Sequence, residues 1–180
     1  MSPDIGPAAF RICLDLNVWV AALLSKAKGR SDTACQFLVD SVLRGVTGFG
    51  PTQLVVSWGM IDRLSQVLTR LGFGREAVET IVAEIALAAR IGPVGLSPLL
   101  VLGGGMMPLR DVEDAHVLET AIAGKARLIA TANFQDFMMY GNRIVEPGRI
   151  AVAVRTERDV VIALPSIVAG WMRAGEIPPL

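Results

Sequence analysis

The spacing of hydrophobic positions changes repeatedly along the chain, and each change predicts an element. Residues 11–15, RICLD, form a short apolar run that ends on an acid and read as a buried strand. From Asn17 the segment NVWVAALLSKAKG has the apolar content of a helix, with Gly29 as its stop. Ser31 and Asp32 stand where a next helix would be capped, and Ala34, Phe37, Leu38, Ser41 and Val42 follow three–four spacing behind them. Gly45, Gly48, Gly50 and Pro51 break the chain before a second buried strand, QLVVS, at 53–57. WGMIDRLSQVLTRLGF then turns helical, with Met60, Ile61, Leu64, Val67, Leu68 and Leu71 apolar, and REAVETIVAEIALAARI continues as a further helix to Ile91. Residues 92–110, rich in Gly and Pro, read as a long loop. DVEDAHVLETAIAGKA from Asp111 is a helix, RLIAT at 127–131 a third buried strand, and NFQDF a loop. Short strands are expected at 143–145 and 150–154, and LPSIVAGWMRAGEIPPL reads as a short helix and a Pro-rich tail.

Apolar strands alternating with helices predict an α/β fold: a three-layer α/β/α sandwich around a central, mostly parallel, Rossmann-like sheet. In such sheets ligands collect beyond the carboxyl ends of the strands. The first strand ends with Asp15 and Asn17, the second with Ser57, and the third with Thr131, Asn133 and Asp136. The helix before the third strand starts with Asp111, Glu113 and Asp114. Carboxylates gathered in one place repel one another, and a hard divalent cation compensates them. The competing explanation is local: acids at strand ends and helix starts also serve as caps and favour the helix dipole.

Composition narrows the picture. With 52% hydrophobic and 19% charged residues, the chain has the apolar content for a buried core, and the surplus favours a homodimer. Its 17 basic and 17 acidic side chains cancel, so a polyanion would have to be held by a local patch or by metal ions. Cys13 and Cys35 form no framework, which points to a reducing, cytoplasmic setting. The start, MSPDIGPAAFR, has no secretory pattern, and no apolar run is long enough to span a membrane.

Three segments in this order resemble the PIN-domain family of metal-dependent nucleases, which includes VapC-like toxins: RICLDLNVWVAALLS (11–25), LVVSWGMIDRLSQVL (54–68) and RDVEDAHVLETAIAGKARLIATANFQDF (110–137). The resemblance implies a PIN-like domain over 1–140, with 141–180 as a C-terminal extension packed on it and covering an edge of the sheet. It implies that Asp15, Asp114 and Asp136 are catalytic and hold Mg²⁺ or Mn²⁺, supported by Asn17, Ser57, Thr131 and Asn133. It implies an endoribonuclease acting on RNA, and a toxin paired with a small antitoxin as its biological setting.

One position departs from the family's pattern. Where the helix after the second strand usually carries a Glu in that family, this chain has Arg63, with Asp62 beside it. Neighbours on a helix point about 100° apart. Either Arg63 sets a guanidinium among the acids, giving a weakened nuclease or a binding module, or the helix is shifted so that Asp62 faces them. The start LDLN also resembles the D-x-D of haloacid dehalogenase-type phosphatases, but the second acid is replaced by Asn17 and no downstream Lys motif follows. His116, the single histidine, falls two residues after Asp114, almost on the opposite side of the helix, and reads as an ordinary surface or core residue. Gly103–Gly105 lacks the companions of a phosphate loop. Arg110, Lys125, Arg127 and Arg143 are scattered candidates for phosphate contacts.

Overall fold

A computed structural model of the chain describes residues 9–92, 99–100, 112–137, 142–155 and 159–180, and of residues 99, 112–115 and 136 the backbone alone. The first half contains β1 (Phe10–Leu14), α1 (Leu16–Ala27), α2 (Ala34–Arg44), β2 (Val46–Thr47), β3 (Gly50–Ser57), α3 (Trp58–Arg70) and α4 (Arg75–Arg90). The second contains β4 (Leu99–Leu100), α5 (Val112–Ala123), β5 (Leu128–Ala130), a 3-10 turn (Phe134–Phe137), β6 (Arg143–Glu146), β7 (Ile150–Ala153), β8 (Val160–Ala163) and α6 (Pro165–Ala174). Gly103–Gly105, Arg110 and Asp111 lie outside the described residues.

β1 is the centre of the sheet because its sequence leaves nothing for water. Ile12, Cys13 and Leu14 are successive, so they face both sides, and all three are fully buried. β1 lies parallel to β3 on one flank and to β5 on the other, with Cys13 opposite Val55 and Ile129. β4 extends the parallel set beyond β3, and β8 extends it beyond β5. β7 and β6 follow antiparallel outside β8, and β2 folds back on the start of β3. The chain thus winds from β1 through β3 to β4 in one direction and from β5 to β8 in the other. The order reverses between β1 and β5, which makes their carboxyl ends the place where a crevice opens.

Helices cover both faces, as expected from the sequence. α1, α2 and α4 share one layer, enclosing a cavity of about 330 Å³ lined by Trp19, Val39, Ile81 and Ile85. α6 joins that layer against α2, with the Arg173 guanidinium 4.2 Å from the centre of the Phe37 ring. α5 carries the chain back from β4 to β5, and a right-handed crossover in that reversed direction belongs on the other face. It sits close because its last turn ends at Gly124: a Cβ there would lie 2.2 Å from Val55 Cγ1. Arg11 fixes this end by donating to the Gly124 carbonyl at 2.9 Å. No helix among the described residues is long and apolar enough to cross a membrane.

One expectation changes. The cap of α2 is Thr33, not Ser31 or Asp32. Asp32 turns into a left-handed conformation (φ +61°), and Thr33 and Gln36 then close a reciprocal capping box. Residues 141–180 supply β6, β7 and β8, and β8, a strand not expected from the sequence, pairs with β5 and lies between it and β7. VVIA is four apolar residues followed closely by an apolar helix, so periodicity offers no change to mark it.

Backbone approach at Gly48 supplies a test. A Cβ there would fall 1.9 Å from the Met172 carbonyl oxygen at the end of α6. Gly170, exposed on α6, has open space around it. Gly48→Ala is expected to lower stability by about 1–3 kcal/mol, whereas Gly170→Ala raises it by about 0.5–1 kcal/mol. Urea unfolding of both variants checks this; equal effects would refute the close docking of α6.

Candidate active site at the carboxyl ends of β1 and β5

Asp15 follows directly from β1 and caps α1, so one residue joins the central strand to the first helix. Its backbone N–H donates to the Ala130 carbonyl at 3.0 Å, which ties the ends of β1 and β5 together. The side chain is 3% exposed. A buried carboxylate needs donors, and three are present. The Leu16 N–H donates to Oδ1, and Oδ2 accepts from Asn17 Nδ2 at 2.5 Å and from Thr131 Oγ1 at 2.6 Å. Asn17 Oδ1 in turn accepts from the Ala132 N–H at 2.9 Å, and Thr131 Oγ1 accepts from the Asn133 N–H at 3.0 Å. The sequence therefore brings Asp15, Asn17, Thr131 and the backbone of Asn133 into one network. These three donors are neutral, and they orient the carboxylate.

The local explanation and the chemical one hold together here. Asp15 is a helix cap, and it also borders a cleft of about 550 Å³ with Asn17, Arg63, His116 and Asn133. The cleft's second wall comes from α3. Met60, Ile61, Leu64 and Leu68 bury the helix against the core. That leaves Gly59, Asp62, Arg63, Gln66 and Val67 toward the cleft, a stripe with three–four spacing. The alternative between Asp62 and Arg63 disappears, because the stripe is wide enough to hold both. Asp62 is exposed and accepts from Gln66 Nε2 at 3.0 Å, while Arg63 is half-buried.

Ser57 is placed differently. It is 2% exposed, and its Oγ accepts from Thr120 Oγ1 at 3.0 Å and from the Met60 N–H at 3.3 Å. It caps α3 and joins it to α5, and it does not border the cleft. Asp114 lies in the first turn of α5 and Asp136 in the 3-10 turn, where the backbone alone is described. Among the described residues no three His, Cys, Asp or Glu side chains gather as a metal-binding group. His116, expected to be an ordinary surface or core residue, is half-buried and borders the cleft beside Val117. Val117, the next residue of α5, borders it too. The signal that was available is the stripe from Gly59 to Val67, which brings Gln66 into the site.

Among the described residues, the scattered basic candidates do not collect here. Lys125 and Arg127 precede β5, so they stand at the amino end of the sheet, away from the cleft. Arg127 and Arg143 instead line a separate hollow with Asp159 and Ile177.

Asp15 borders the cleft, and a carboxylate oxygen is the ligand type that a hard divalent cation takes. This donor set fits a divalent metal, though it supplies one ligand of several. Its charge is also felt by Cys13, whose thiol is pushed up first by complete burial and then by Asp15. A model of the PIN domain matches residues 11–135, more than half of the chain. No curated protein matches it.

Two outcomes follow from this environment. Thr131→Val removes a donor to a buried carboxylate and is expected to cost about 1–3 kcal/mol of stability in chemical denaturation; no change would show that the network does not hold Asp15. Cys13 should resist thiol reagents in the folded protein and react only on unfolding. Its raised pKa also sets a sign. Above about pH 8.5 the unfolded thiol loses its proton while the folded one keeps it, so stability should fall as pH rises through that range. A denaturation series from pH 7 to 10, with Cys13→Ala lacking that component, checks it.

Proposed function

The chain belongs to the PIN-domain family, and on that premise we propose that it is a metal-dependent endoribonuclease hydrolysing RNA phosphodiesters. The family's fold is of nuclease type, and the observation that carries the reading is the buried Asp15 network at the β1–β5 crevice. Asp15, Asp114 and Asp136 would hold one or two Mg²⁺ or Mn²⁺ ions. Such a metal, when bound, supplies an activated water and charge stabilisation at the leaving oxygen.

The chain's own residues do the positioning. Thr131 and Asn17 fix the carboxylate's rotation by holding Oδ2, and the Ala130–Asp15 backbone bond keeps both strand ends in register. Asn17 and the Asn133 backbone close the loop after β5 over the carboxylate. Apolar side chains at Leu16, Val20 and Val67 limit water in the cleft. Pairing as a toxin with a small antitoxin, and homodimerisation, are the narrower form of the same proposal.

A second reading is favoured by Arg63, which borders the same cleft as Asp15. A guanidinium there supplies permanently the positive charge that a metal would bring. The domain would then bind RNA or protein with little or no cleavage.

Single-stranded RNA with Mn²⁺ separates the two. Cleavage is expected, with Asp15→Asn reducing it by about a hundredfold or more and Thr131→Val by about 10–100-fold, as for residues that orient a ligand. Equal rates in wild type and Asp15→Asn would sink the nuclease proposal. The second reading predicts instead that Arg63→Glu creates Mn²⁺ affinity, read by calorimetry, which the wild type lacks.

A further inference from the structure

The cleft is more apolar and more specifically furnished than a phosphodiester requires. Leu16, Val20, Met60, Val67 and Val117 give it an apolar lining, and its volume of about 550 Å³ suits a nucleoside-sized ligand. The α3 stripe also contributes an acceptor. Asp62 is exposed, and Gln66, one helical turn on, donates from Nε2 to its Oδ2 at 3.0 Å. Among the described residues Oδ1 accepts no hydrogen bond, so the carboxylate keeps acceptor capacity toward the cleft it borders.

A carboxylate at the border of a cleft that takes a polyanion repels phosphates. It is compatible with RNA where it meets N–H groups instead, and those belong to base edges. Single-stranded RNA is read in this way, with splayed bases laid on side chains and hydrogen-bonded along their Watson–Crick edges. The four bases differ there. Along that edge adenine, cytosine and uracil each offer a single donor group beside one or two acceptors. Guanine offers two adjacent donors, N1–H and the N2 amine, with O6 beside them as an acceptor. Two adjacent donors match the two oxygens of one carboxylate, and a neighbouring carboxamide or guanidinium can serve O6. Asp62, Gln66 and Arg63 present that set on one helix face.

We propose that this cleft is a nucleobase pocket selecting guanine, with Asp62 as the residue that reads the base and Gln66 as the residue that orients Asp62. The proposal rests on the RNA reading above and specifies its substrate as guanine-containing single strands. The apolar lining would take the face of the base, while the Asp15 side of the cleft lies toward the phosphodiester.

Calorimetric titration of the whole chain with GMP, AMP, CMP and UMP, without divalent cation, tests it. GMP is expected to bind at least about tenfold more tightly than the other three, the discrimination of one good bidentate contact. Asp62→Asn should remove that difference, and Gln66→Ala should reduce it. Both positions are exposed on the helix, so unchanged thermal melting will show that the fold is kept. Equal binding of all four nucleotides, binding of none, or a GMP preference that survives Asp62→Asn overturns the proposal. Manganese-dependent cleavage of guanine-containing and guanine-free strands separates the two layers. Cleavage of both at equal rates refutes the guanine pocket while keeping the nuclease. GMP selectivity without any cleavage keeps the pocket and removes the nuclease.

Discussion

The site depends on one constraint: a carboxylate must be held and oriented at the buried end of β1. Asp15 is 3% exposed, and a buried carboxylate needs hydrogen-bond donors. Its donors include groups from three places: the helix it caps, the side chain of Asn17, and Thr131 beyond β5. The arrangement is possible because β1 and β5 are adjacent and parallel, which requires the winding direction to reverse between them. Sheet topology and local charge chemistry are therefore one problem here.

α3 addresses the other half of the site with simple geometry. Its buried side is short and apolar, and the opposite stripe places five consecutive three–four positions along the cleft. The helix is packed by Ile61, Leu64 and Leu68, which are buried on its other side, so Arg63 is not needed to hold it. Arg63 therefore bears on the cleft's electrostatics more than on its walls. A single helix face thus offers a cation, an anion and a carboxamide within two turns.

Much of this was legible in the sequence, for identifiable reasons. Residues 12–14 of β1 and Leu128–Ala130 of β5 are apolar runs, and α2 and α3 between them have clear three–four spacing, so fold class and strand ends could be read directly. Asp15, Asn17 and Thr131 stood at those ends. Ser57 stood there too, yet its hydroxyl turns to Thr120 and the start of α3 instead of the cleft. Position at a strand end fixes where a residue's backbone is, and only its partners fix where its oxygen points. β8 was missed because four apolar residues before an apolar helix carry no periodicity of their own. His116 reads in the sequence as an ordinary surface or core residue, and in the structure it is half-buried at the border of the cleft.

The neutral overall charge fits this division of labour. A protein that held RNA chiefly through lysine and arginine would need a basic face, and binding would weaken steeply with salt. Here Lys125, Arg127 and Arg143 stand away from the cleft, and among the described side chains Asp15, Asp62 and Arg63 border it. Under the function proposed above, affinity would rest on contacts that salt screens less: apolar burial, hydrogen bonds to a base, and a cation held by carboxylates. The first would come from the lining of α1, α3 and α5, the second from the exposed side of α3, and the third would involve the buried Asp15. The charge balance of the chain is what such a cleft requires, because added surface cations would raise affinity for any polyanion without improving discrimination among them.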